Sequence, residues 1–196
     1  MIYETGKIYH IYNTGNQKQK IFFTKENYLF FTRKLRKYIM PFCDILAWCL
    51  MPNHFHLMIV ANDETLKQAT NQKNEISQFS ENLRLMLSQY TKAVNRQENL
   101  IGSLFRQNTK SKCLNQINTN KYALACFHYI HRNPYDAKLV SSIADWEFSS
   151  YKDYVGMRNG NLCNKELSEI IFNFDKNNFE YQTLKSANSG NESHIW

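Results

Sequence analysis

The residues best suited to chemistry are His54 and His56, two imidazoles separated by Phe55 and followed by the apolar run Leu57-Met58-Ile59-Val60. Strand side chains alternate between faces, so both imidazoles project together while Phe55 turns to the opposite side. Neutral imidazole is the commonest protein ligand for divalent metals, and a pair leaves positions open for a carboxylate or amide oxygen, water and a substrate oxygen. The same spacing also arises as two histidines on a solvated strand face. A second grouping is Tyr129-Ile130-His131-Arg132-Asn133-Pro134. Tyr129 and Asn133 lie one helical turn apart on a shared face, so a phenol and an amide oxygen can meet the imidazoles if this helix packs beside their strand. Tyr122, Cys126 and Tyr129 fit an ordinary apolar helix stripe equally well.

The elements that must position these groups follow from periodicity and punctuation. Lys7 to Asn13 reads as a strand closed by Thr14-Gly15-Asn16. Thr24 caps a helix running to Met40, with Tyr28, Phe31 and Leu35 at helical spacing and Pro41 as its stop. Phe42 to Leu50 and His54 to Val60 form a hairpin around Met51-Pro52-Asn53. Residues 62–77 read as a polar loop, Ser80 to Asn95 as a helix, Leu104 to Cys113 as a strand, and Asn118 to Arg132 as a helix ended by Pro134. The order predicts an α+β fold, a ferredoxin-like antiparallel sheet with two helices packed on one face. Trp146 to Gly156 adds a short helical piece, and Glu166 to Phe172 a C-terminal helical extension. One domain is expected over residues 1–158, followed by an appendage at 159–196 whose Ser/Asn/Gly-rich stretch 186–193 has the composition of a disordered end.

Charge narrows the partner. The chain carries 24 Lys and Arg against 17 Asp and Glu, a formal net charge of +7. Residues 161–196 hold three Lys and five acidic residues, so residues 1–160 carry an excess of nine positive charges. Such a body attracts polyanions, of which nucleic acid is the commonest. No apolar run is long enough for a membrane span, and the first residues lack a signal-peptide pattern. The five cysteines Cys43, Cys49, Cys113, Cys126 and Cys163 are odd in number and contain no CxxC pair, which excludes a disulfide framework or zinc ribbon. A reducing cytoplasm is the expected location.

Met51-Pro52-Asn53-His54-Phe55-His56-Leu57 resembles the MPNHxH core of the Y1 transposases, the IS200-like and REP-associated tyrosine transposases, whose paired histidines form the HUH motif. Tyr9-His10-Ile11-Tyr12-Asn13, Gly15 and Ile21-Phe22-Phe23 are similar to that family's opening strand and loop, and Gly102-Ser103-Leu104-Phe105 to its GxLF segment. Tyr129 to Pro134 with Ala137-Lys138-Leu139-Val140 resembles YIHxNPxxAxLV, and Ser149-Ser150-Tyr151 resembles SSY. The motifs occur in the family's order over residues 3–156 and favour its REP-associated branch.

The resemblance implies a single-stranded DNA endonuclease and strand transferase that recognises a DNA hairpin. Tyr129 is then the nucleophile that forms a 5′-phosphotyrosine, while His54, His56 and Asn133 hold Mg²⁺ or Mn²⁺. DNA contacts are expected from Asn13, Gly15, Lys18 and Lys20 of the opening strand and loop, and from Arg33 on the basic surface of the first helix. If Leu104 to Cys113 is one strand, Arg106, Asn108, Lys110 and Lys112 share a face suited to phosphates. Thr14 stands where the family usually has arginine, and Asn108 and Thr109 where arginine and an aromatic or apolar residue are common. A monomer and a homodimer are equally compatible with the sequence. Two other classes fit part of the pattern. A hairpin-binding relative that no longer cuts needs none of the catalytic set, and an unrelated metal hydrolase leaves Tyr129 and the basic excess unexplained.

Overall fold

The computed structural model describes residues 2–69, 76–115 and 121–186. Along the chain run β1 (Ile8–Thr14), α1 (Lys25–Tyr38), β2 (Cys43–Met51), β3 (His54–Ala61), α2 (Asp63–Leu66), α3 (Gln78–Glu98), β4 (Lys110–Cys113), α4 (Lys121–Asp136), α5 (Tyr151–Tyr154), α6 (Lys165–Phe172) and α7 (Phe179–Lys185). The four strands form one antiparallel sheet in the order β2-β3-β1-β4. This is the ferredoxin-like arrangement expected from the strand–helix–strand–strand–helix–strand order. Among the described residues no helix is long and apolar enough to cross a membrane.

Each face of the sheet has its own cover. On one side Phe55 of β3 meets Phe31 of α1 at 5.3 Å between ring centroids, and Phe31 meets Tyr90 of α3 at 4.9 Å. The Oδ1 of Asn27 closes the start of α1 by accepting from the N–H groups of Phe23 and Thr24 at 2.9 and 3.1 Å. That start fixes which residues turn inward: Tyr28, Phe31 and Leu35 are buried. On the other side α4 lies across β2 and β3, with Tyr129 beside His56 at 5.6 Å. Covered on both faces, β2 is buried from Ile45 to Met51, in keeping with its unbroken apolar run.

Several elements differ from the sequence expectation. The polar loop expected over residues 62–77 contains the short helix α2, because Asn62 Oδ1 accepts from Thr65 N–H at 3.2 Å, and the helical piece expected over Trp146 to Gly156 has its α-helix only at Tyr151–Tyr154. The strand expected over Leu104 to Cys113 is confined to Lys110–Cys113, and Phe105 makes only an isolated bridge to Gly15. Between them Arg106-Gln107-Asn108-Thr109 forms a loop tied down by Asn13, whose Nδ2 donates to Arg106 O at 3.1 Å and Thr109 Oγ1 at 2.9 Å. A side chain from β1 thus takes the place of ladder hydrogen bonds. Pro134 does not end α4, which continues to Asp136. Proline removes the N–H that would reach Ile130 O, but here it sits in the last turn, where few bonds follow. The N–H groups of Ala137 and Leu139 then close onto Asn133 O and Pro134 O, both at 3.0 Å. Finally, α3 starts before Ser80 because Ser77 Oγ accepts from Ser80 N–H at 3.2 Å, and it ends after Asn95 at a left-handed Asn99. Residues 70–75 of the polar loop, Asn118 at the expected start of α4, and residues 187–193 lie outside the described residues.

The described part of the C-terminal extension is helical and packs on α4. Phe172, Phe174 and Phe179 surround Phe127 at 4.8, 5.7 and 5.8 Å. Arg132, 2% exposed, spans the same seam, pairing with Asp136 Oδ2 at 2.7 Å and donating to Ser186 Oγ at 2.8 Å. Truncating a fully buried phenylalanine typically costs about 3–5 kcal/mol. Phe179→Ala should therefore lower the urea unfolding free energy by an amount in that range, measured on the full chain.

Candidate active site

The hairpin turn sets the start of the site. Met51 pairs with His54 across a two-residue turn, so His54 is the first residue of β3 and stands at the sheet's end. The pairing of β1 with β3 places Thr14 opposite His54, Tyr12 opposite His56 and His10 opposite Met58. All six side chains share the face that α4 covers. The imidazoles of His54 and His56 lie edge to face at 4.9 Å.

Helix α4 brings the second half. Tyr129 and Asn133, one turn apart, both meet the histidine pair. Asn133 Oδ1 is 3.2 Å from His54 Nε2, and its Nδ2 is 3.4 Å from His56 Nε2. Tyr129 is 5% exposed and packs edge to face on His56. Four residues drawn from two distant segments thus meet in one chain.

Burial decides the protonation of the imidazoles. Desolvation pushes His54 from 6.5 down to about 4, partly opposed by its hydrogen bond with Asn133. It holds His56 well below the ordinary histidine value, and the neighbouring His10 and His54 add to the effect. All are neutral near pH 7, the state in which imidazole ligates metal.

Among the described residues no cluster of three or more His, Cys, Asp or Glu side chains is arranged to hold a metal ion. The available donors are instead two imidazole nitrogens and one amide oxygen. The spacing of His54 Nε2 and Asn133 Oδ1 fits: donors 3.2 Å apart match neighbouring ligands on an octahedral ion with bonds of about 2.1 Å. The hydrogen-bond pattern fits too. Asn53 Nδ2 donates to Lys18 O at 3.4 Å, which leaves its Oδ1 facing His54 Nδ1 at 2.7 Å. Neutral His54 has one N–H but faces two oxygens, those of Asn53 and Asn133. A cation between His54 Nε2 and Asn133 Oδ1 satisfies the second oxygen.

No family model matches the chain, and no curated protein sequence matches it. A solved structure does: a REP-associated tyrosine transposase bound to a REP hairpin superposes with a TM-score of 0.56 and 19% sequence identity. The match covers 83% of this chain and 87% of the other. The chain has the fold of that transposase.

Within this fold the basic residues singled out in the sequence fall into four groups. Lys18 and Lys20 sit in a loop fastened beside the histidines, because Gly15 N–H donates to Asn53 O at 2.7 Å and Ile21 N–H to Pro52 O at 2.8 Å. Gly15 itself is required by that turn, since a Cβ there would lie 2.1 Å from Gln19 O. Lys110 and Lys112 face the same side of the sheet as the histidines, opposite Tyr12 and His10, and Lys112 reaches over the Tyr122 ring at 5.2 Å. Arg106 is exposed on the 106–109 loop, so it and Asn108 do not share a strand face with the two lysines. Arg33 is exposed on α1, the helix that covers the opposite face of the sheet from the histidine pair. Asn13 is buried and occupied by its loop clamp. Two residues at the site were not singled out from sequence: Asn53 and His10, the latter with Nε2 2.9 Å from His56 Nδ1. Alternation in Tyr9-His10-Ile11-Tyr12 puts His10 and Tyr12 on one face, but only the cross-strand register puts that face against His56.

Burial also ties the fold to pH. Mainly through desolvation, His10 and His131 are pushed down to about 3, and His54 and His128 to about 4. The unfolded chain takes up these protons as pH falls below about 6.5, whereas the folded chain resists until about pH 4. Stability from these groups is therefore complete above that window and lost progressively through it. Urea unfolding compared at about pH 7.5 and about pH 5 should show a loss on the order of 2 kcal/mol per deeply buried histidine. His128→Asn should flatten part of that slope.

Proposed function

We propose that the chain is a metal-dependent single-strand DNA endonuclease and strand transferase of the REP-associated transposase type, recognising a DNA hairpin. The observation that carries this reading is the convergence of Tyr129 and Asn133 on His54 and His56. The matched transposase was solved on a REP hairpin, and its fold supports a hairpin as the partner here. The catalytic unit is taken as residues 1–158 and the extension as 159–196, acting in the cytoplasm. Because one chain supplies all four residues, a monomer contains a complete site, and a homodimer would contain two.

His54, His56 and Asn133 would hold Mg²⁺ or Mn²⁺, which polarises a non-bridging phosphate oxygen and offsets charge on it. The remaining work falls to the protein. The Tyr129 oxygen attacks phosphorus and gives up its proton, the bond to the 3′ oxygen breaks, and that oxygen takes up a proton in turn, leaving a 5′-phosphotyrosine and a free 3′-hydroxyl. That ester keeps the reactivity of a phosphodiester, so an incoming 3′-hydroxyl can reverse the step and join strands without ATP. Tyr129 is buried against His56, so its hydroxyl meets a phosphate only where a strand enters between β3 and α4. Lys18, Lys20, Arg106, Lys110 and Lys112 are the proposed phosphate contacts; Asn13 and Gly15 contribute by shaping the loops, and Arg33 lies on the opposite side of the sheet.

The burial of Tyr129 favours one second reading, hairpin binding without cleavage. Incubation of the protein with labelled hairpin oligonucleotides carrying single-stranded flanks, plus Mn²⁺, separates the two. Cleavage should yield an adduct that survives denaturing electrophoresis. Tyr129→Phe should abolish adduct and cutting with hairpin affinity unchanged. A double His54→Ala, His56→Ala variant should also cut no DNA yet bind within a few fold, since Lys and Arg contacts to phosphate dominate affinity. Retained binding with no adduct from the unaltered protein across a broad hairpin panel selects the second reading. In either case affinity should fall by roughly 10-fold or more between about 50 and 200 mM salt.

A further inference from the structure

His10 has no part in the chemistry proposed above, yet it is fully buried in the middle of β1. A buried polar group is costly unless its atoms are used, and an aliphatic residue would serve a strand interior better. Its Nε2 stands 2.9 Å from Nδ1 of His56, with the rings stacked at 5.1 Å and 24°. Among the described residues it meets His56, Tyr12, whose ring stacks on it at 4.8 Å, and its strand partners Met58 on β3 and Lys112 on β4.

Two facing imidazole nitrogens form a hydrogen bond only if one carries the proton and the other does not. The direction is set from the far side of His56. There Asn133 Nδ2 points at His56 Nε2 from 3.4 Å, and an amide NH₂ can only donate, so Nε2 holds the lone pair. Neutral His56 then carries its single proton on Nδ1 and donates it to His10 Nε2. His10 in turn keeps its own proton on Nδ1, a buried atom that has no hydrogen-bond partner among the described residues. Leaving that N–H unsatisfied is a cost that a purely structural histidine would have no reason to bear.

We propose that His10 is a positioning residue: it fixes His56 as the Nδ1–H tautomer and so keeps the His56 Nε2 lone pair aimed at Asn133. The role is the one usually filled by a carboxylate or carbonyl behind a metal-bound histidine. Asn53 Oδ1 does the same for His54 from 2.7 Å. This inference rests on the metal-site reading of His54, His56 and Asn133.

Two measurements on the full chain without DNA test it. Nitrogen-15 NMR of the histidine rings in metal-free protein should show His56 as the Nδ1–H tautomer, whereas an Nε2–H tautomer overturns the proposal. Mn²⁺ titration followed by electron paramagnetic resonance should show His10→Leu binding roughly 10–100-fold more weakly than the unaltered protein. His10→Gln, whose amide oxygen can accept from His56 Nδ1–H, should recover affinity to within a few fold, while hairpin binding stays constant in both variants. Unchanged Mn²⁺ affinity in His10→Leu also overturns it. If the unaltered protein binds no Mn²⁺, the metal-site reading fails, and the tautomer of His56 decides the His10 assignment by itself. If His10→Leu fails to fold, the spectrum of the unaltered protein and the His10→Gln titration carry the decision.

Discussion

The register between β1 and β3 is the constraint on which the site depends. With Thr14 opposite His54 and Tyr12 opposite His56, the histidine pair faces α4 and the strand's apolar set, Phe55, Leu57 and Ile59, faces α1 and α3. A slip of one residue exchanges the two sets, driving two imidazoles into a hydrocarbon core and placing three large apolar side chains beneath α4 where the site now stands. The register is therefore held by the whole core on one side and by hydrogen bonds of the site on the other. The turn at Pro52-Asn53 and the loop from Gly15 to Ile21 fasten the same end of the sheet through backbone bonds.

Two separate packing interfaces hold the two halves of the site. The histidines belong to a strand wedged against Phe31, Tyr90 and Phe105, whereas Tyr129 and Asn133 belong to a helix seated on Phe172, Phe174 and Phe179 through Phe127. Buried polar contacts line that second interface. His128 Nδ1 meets Thr183 Oγ1 at 2.9 Å and His131 Nε2 meets Ser150 Oγ at 2.7 Å. Each of these bonds fixes the rotation of α4 about its axis, and that rotation decides whether Tyr129 and Asn133 face the strand. Residues remote in sequence from the chemistry thereby set its geometry.

Period and punctuation made much of this legible. Alternation through His54-Phe55-His56 placed both imidazoles on one face, and the one-turn spacing of Tyr129 and Asn133 placed them on one helix side; the structure brings the two together. The helix periods of Tyr28, Phe31 and Leu35 and of Leu83, Met86, Leu87 and Tyr90 also correspond to buried stripes. Local signals failed where long-range partners decide. Residues 106–109 leave the strand because Asn13, far away in sequence, claims their polar groups. Pro134 is tolerated because the helix has almost finished, a fact set by the turn that follows it. The aromatic residues of the extension sit among Asn, Lys and Glu, so their common destination around Phe127 has no periodic signature. His10 carries no such signature either, since nothing within β1 reveals which residue of β3 lies beside it.

The donors that converge at the site are all uncharged: two imidazoles and an amide, with an amide oxygen and a third imidazole behind them. A divalent ion held by such a set keeps its full positive charge, because no carboxylate among these groups neutralises it. On the proposed function, a phosphate of a bound strand would supply the balancing anion. On that reading ion and strand would each make the other's arrival more favourable, so occupancy of the centre would follow the supply of DNA as well as the supply of metal.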